Sequence, residues 1–63
     1  MYSRLFEEME KQNISGYELA KRAKINKSDW YNAKNGHRPF YPAWRERIAE
    51  VLKVPAAVLF QED

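Results

Sequence analysis

Ser28, Tyr31, Asn32 and Asn35 recur at the spacing that gathers residues onto one face of an α-helix, and each forms hydrogen bonds without carrying charge. With Trp30 and Ala33 turned into a core, these four point outward at 100° per residue. A face that meets only water is dominated by Lys and Glu. Neutral donors and acceptors suit nucleobase edges instead, where Tyr31 reaches a thymine methyl or the sugar edge. Lys27, at the start of the same helix, adds a contact to guanine or to phosphate.

No other chemistry has its parts in place. The sequence has no cysteine and a single histidine, which excludes a disulfide framework and a conventional zinc site. His37 sits in a loop beside Arg38 with no nucleophile motif, so it reads as a phosphate neighbour or a surface residue. Glu7, Glu8 and Glu10 read as one solvated helix face. There is no glycine-rich phosphate loop, nucleophile elbow or metal-ligand spacing. An enzyme is not expected, nor a cofactor, a metal or a small-molecule ligand.

Two helix-start signatures must position the outward face. Ile14-Ser15-Gly16-Tyr17-Glu18-Leu19 is matched eleven residues later by Ile25-Asn26-Lys27-Ser28-Asp29-Trp30. Ser15 and Asn26 can each accept from N–H groups of the following turn while Glu18 and Asp29 reach back, a capping box at each start. Ile14 with Leu19, and Ile25 with Trp30, can close over the chain entry as a hydrophobic staple. Asp29 thus reads as a helix-start carboxylate rather than a cytosine reader. The spacing predicts helix, tight turn, helix over about 16–35, with the first helix too short to stand alone.

The remaining chain supplies packing. Leu5, Phe6 and Met9 give an amphipathic helix over 3–12; the second helix, about 16–23, buries Leu19, Ala20 and Ala23; the third runs about 27–35 and stops at Asn35-Gly36, with Gly36 the first residue beyond. His37 to Tyr41 form a loop, since each proline disfavours helix in the residue before it. Pro42 opens a fourth helix, 42–53, with Trp44, Ile48, Val51 and Leu52 inward and Arg45, Glu46, Arg47 and Glu50 facing water. Pro55 opens a last short helix whose Val58, Leu59 and Phe60 close the core. The expected fold is all-α, a compact bundle of about five short helices forming one domain over 1–63.

At 63 residues the core is thin, and stability is expected to be only a few kcal/mol. No apolar run approaches the roughly 20 residues of a membrane span and the first residues lack a signal-peptide core, so a soluble cytoplasmic protein is expected. The net charge of +2 is unevenly placed. Residues 15–38 carry Lys21, Arg22, Lys24, Lys27, Lys34 and Arg38 against Glu18 and Asp29, a local +4, while each flank is −1. A polyanion meeting that segment releases counterions.

In the order and spacing of Ile14-Ser15, Glu18-Leu19-Ala20-Lys21-Arg22-Ala23, Ile25, Asn35-Gly36, Ile48-Ala49, Leu52, Val54 and Leu59-Phe60, nearly the whole chain resembles the lambda-repressor-like (Cro/C1-type, XRE) helix-turn-helix family of phage and bacterial regulators. The resemblance implies a five-helix bundle, usually dimeric, whose third helix enters the major groove of double-stranded DNA. By position, Lys27, Ser28 and Asn32 fall among its base-edge readers, joined here by Tyr31. Ser15, Asn35 and Arg38 fall where the family contacts phosphate, with Gly16 and His37 beside them. Gly16 stands where a glutamine is common and offers only its backbone N–H. Lys24 stands at the turn position usually held by glycine, where left-handed geometry costs on the order of 1 kcal/mol. Trp30 and Ala33 replace an aliphatic pair, which reads as repacking at conserved volume. Phe40, Tyr41 and Phe60 are expected to form a two-fold dimer surface, with two recognition helices about 34 Å apart on DNA. The competing expectation is a protein-interaction module that has this fold and little DNA affinity.

Overall fold

The computed structural model describes residues 2–61, which form five helices: α1 (Ser3–Lys11), α2 (Gly16–Arg22), α3 (Lys27–Lys34), α4 (Pro42–Leu52) and α5 (Ala56–Leu59). Among the described residues there is no strand, and the protein is an all-α bundle. Pro42 is the first residue of α4, where its missing N–H would have had no helical partner in any case.

Each of the first four helices ends in the same way. The backbone turns left-handed at Asn13, Lys24, Gly36 and Lys53, with φ of 57°, 57°, 84° and 59°. The next residue's N–H then folds back onto a carbonyl of the last turn: Ile14 to Met9 at 2.9 Å, Ile25 to Ala20 at 2.9 Å, His37 to Asn32 at 2.8 Å, and Val54 to Ala49 at 3.2 Å. This Schellman arrangement satisfies helix-end carbonyls that would otherwise lack donors. Gly36 takes the conformation freely. Asn13, Lys24 and Lys53 hold it against a Cβ clash worth about 1 kcal/mol each.

The core lies where α1 meets α5, α5 meets α4, and α2 meets α3 and α4. Leu5, Leu19, Ile48, Leu52 and Leu59 are its fully buried large side chains. Ala20, Ala23 and Ala33 are also buried, and their small size lets α2 and α3 approach closely. Gln12, just past α1, donates its side-chain N–H to the Leu52 carbonyl at 2.8 Å and joins the ends of α1 and α4.

Several side chains point otherwise than the sequence pattern predicts. Phe40 and Phe60 are only 2% and 7% exposed, so neither side chain is placed for the expected dimer surface. Their rings lie 5.1 Å apart, Tyr2 meets both edge-on at 5.5 and 5.4 Å, and Phe40 also meets Trp30 at 5.9 Å. The extended backbone entering α4 sends successive side chains to opposite sides, so Phe40 goes in and Tyr41 stays 43% exposed against Trp44. Arg45 turns inward instead of facing water. Its Nε donates to the Phe40 carbonyl at 2.8 Å and its guanidinium lies 5.3 Å from the Phe60 ring, so it satisfies a loop carbonyl and covers the aromatic cluster. Arg47 is also half-buried, and its Nε is covered without a partner. Val58, expected inside, is exposed, because the single turn of α5 already directs Leu59 inward.

Candidate nucleic-acid interface

Both helix starts are capped from one side. Ser15 Oγ accepts from the Glu18 N–H at 3.1 Å, and Asn26 Oδ1 accepts from the Ser28 N–H at 2.9 Å. The reciprocal half of the first capping box is absent, because the Glu18 carboxylate takes Arg22 at 2.6 Å. Arg22 lies one turn along the same face, and a guanidinium is a stronger partner for a carboxylate than a backbone amide. Asn26 caps one residue earlier than expected, so Asp29 acts at the start of α3 through its charge alone.

With its start fixed, α3 is held by Trp30 and Ala33, both buried. The opposite face carries Ser28, Tyr31 and Asn35 exposed and Asn32 half-buried, with Lys27 exposed at the helix start. Lys27, Ser28, Tyr31 and Asn32 together line one shallow concavity of about 380 Å³. Lysine ammonium groups lie 5.3 Å from the two exposed rings of this region, Lys27 over Tyr17 and Lys34 over Tyr31.

The residues expected at phosphates fall in two places. Asn35, His37 and Arg38 line a groove of about 700 Å³ between the α3–α4 loop and α1, with Phe6 and Phe40 among its apolar lining. The N–H groups of His37 and Arg38 both donate to the Asn32 carbonyl, at 2.8 and 3.2 Å, which leaves their side chains as the donors of these two residues. Ser15 and Gly16 lie apart from these, at the start of α2. The Ser15 hydroxyl already accepts one hydrogen bond, and its own proton stays free to donate outward.

Compared with known proteins, the chain matches no family model, no curated protein and no solved structure.

Gly16 and Trp30 form one structural feature. A Cβ on Gly16 would lie 2.7 Å from the indole Nε1 and 3.2 Å from Cε2. The indole therefore takes its room partly from α2, and not only from the small Ala33 one turn further along α3.

Two residues of this surface were not singled out as individual contacts from the sequence. Tyr17 is 62% exposed, the largest value among the big apolar side chains. Its signal was an aromatic two positions before buried Leu19, on the side of α2 away from the core. Lys34 lines the same groove as Asn35, His37 and Arg38. Among the described residues of 15–38, Arg22 alone of the lysines and arginines has a carboxylate partner, leaving Lys21, Lys24, Lys27, Lys34 and Arg38 without one. Among the described residues, too, no group of acidic and histidine side chains is placed to hold a metal ion, and no helix is long and apolar enough to cross a membrane.

Proposed function

We propose that this protein is a sequence-specific reader of double-stranded DNA, acting in the cytoplasm as a small transcriptional regulator of the phage or bacterial repressor type. The observation that carries the reading is the shared concavity of Lys27, Ser28, Tyr31 and Asn32, a neutral hydrogen-bonding surface with one cation at its edge. In the major groove, Asn32 pairs with adenine through its amide, Lys27 with guanine, and Tyr31 packs against a thymine methyl. Ser15, Gly16, Asn35, His37 and Arg38 contact phosphates and fix the register, and Lys34 joins them. Occupancy of an operator is the mechanism, and no cofactor takes part. A second copy binds the other half-site, meeting the first through the loop around Tyr41, since Phe40 and Phe60 are buried within each chain.

Selection of bound duplexes from a random pool, repeated at two salt concentrations, tests this. A protomer that neutralises about two phosphates, through Lys34 and Arg38, loses roughly tenfold in affinity between 50 and 200 mM salt. The double substitution Lys27→Ala with Asn32→Ala is expected to erase sequence preference while leaving weak, salt-sensitive binding. A chain that binds no duplex, or binds with no salt dependence, refutes the proposal and points to the protein-interaction module.

A further inference from the structure

Trp30 is 3% exposed, yet among the described residues its indole N–H has no acceptor. Among the described residues Arg47 Nε is the only half-buried or buried side-chain nitrogen or oxygen that is both fully covered and unpartnered. The indole nitrogen, equally unpartnered, must therefore keep an opening to the surface. Gly16 flanks that nitrogen, since a Cβ there would stand 2.7 Å from Nε1. A nearly buried N–H that still reaches the surface without a partner is a donor waiting for an acceptor from outside the chain.

We propose that the Trp30 indole N–H donates to a non-bridging phosphate oxygen of the DNA backbone, which seats over Gly16. This rests on the duplex-reading function proposed above and adds a donor that no reading of Trp30 as pure core supplies. Neighbouring groups favour an anion at this place. The Ser15 hydroxyl has a free proton, and the nearby Glu18 carboxylate is drawn off by Arg22 at 2.6 Å. Glycine suits position 16 because a side chain there would press against the indole nitrogen and cover it. The helix that reads bases would then be anchored to the backbone through its own core residue, with no flexible side chain between.

The chain has two tryptophans, Trp30 and Trp44, so the ¹⁵N-labelled protein gives two indole N–H resonances. Titration with a selected duplex is expected to move the Trp30 indole resonance downfield and slow its exchange with water, with Trp44 unchanged. Trp30→benzothienylalanine keeps the ring shape and replaces N–H by sulfur. It is expected to weaken duplex binding about tenfold at an unchanged fold. The slope of affinity against salt stays the same, because a neutral donor releases no counterion. An unmoved Trp30 resonance in a protein that does bind duplex, or wild-type affinity of the sulfur analogue, overturns the proposal. So does a shift caused by inorganic phosphate at matched ionic strength but not by duplex. A wild-type chain that binds no duplex overturns the functional reading itself.

Discussion

Gly16→Ala adds one methyl group to a surface helix, and helix propensity alone says that this stabilises, by about 0.5–1 kcal/mol. The structure says the opposite. The new Cβ would lie 2.7 Å from Trp30 Nε1 and 3.2 Å from Cε2, and the indole is 3% exposed with Phe40 edge-on at 5.9 Å. A rigid ring so enclosed cannot swing aside, and overpacking of this kind costs about 1–3 kcal/mol. The net expectation is a loss of about 1–2 kcal/mol, a drop of roughly 5–15 °C in Tm for a chain of this size. Urea and thermal melts followed by far-UV circular dichroism measure it. The control is the same substitution beside Trp30→Phe, where the clashing ring is gone. There Gly16→Ala is expected to be neutral or stabilising by about 0.5 kcal/mol, giving a coupling of about 1–2.5 kcal/mol. A Gly16→Ala protein more stable than wild type, or a coupling below about 0.5 kcal/mol, refutes the shared-space argument.

Other predictions follow from the backbone and from single polar contacts. Lys24→Gly and Lys53→Gly each relieve a left-handed residue and are expected to raise stability by about 0.5–1 kcal/mol, read as a higher urea midpoint at unchanged slope. Gly36→Ala meets no atom within 4 Å, yet is expected to cost about 1 kcal/mol through its φ of 84° alone. Arg47→Met keeps the apolar stem and removes a covered Nε that has no partner, so stability holds or rises by up to about 1 kcal/mol in the same melts. Gln12→Ala breaks the 2.8 Å bond to the Leu52 carbonyl and is expected to cost about 1 kcal/mol, with faster amide exchange at the ends of α1 and α4.

What was legible in the sequence was mostly local. Ser15 and Asn26 start helices because their short polar side chains reach the next turn, and Asn35-Gly36 ends one because glycine turns left-handed freely. The outward placement of Ser28, Tyr31 and Asn35 followed from the helical period once Trp30 was assigned inward. Contacts between distant segments were not legible. Arg45 sits on a face that periodicity assigns to water, and the Phe40 carbonyl, the Phe60 ring and Tyr2 draw it inward. Phe40 and Tyr41 are adjacent aromatics in one loop, and sequence alone gives no means to say which of them enters the core. The fit of Gly16 to Trp30 likewise joins two helices, so neither residue announces it alone.

Asn32 carries two attachments at once: its side chain lines the concavity of α3, while its carbonyl holds the N–H groups of both His37 and Arg38. A nucleobase touching the amide and a backbone oxygen touching Arg38 would therefore pull on the same residue. Under the proposed function, a protein displaced by one base pair would be unable to satisfy the first attachment and let the second adjust independently. Discrimination between neighbouring registers would then come from stiffness at one peptide unit, and a longer, looser connection after Gly36 would blur it without altering any group that meets the DNA.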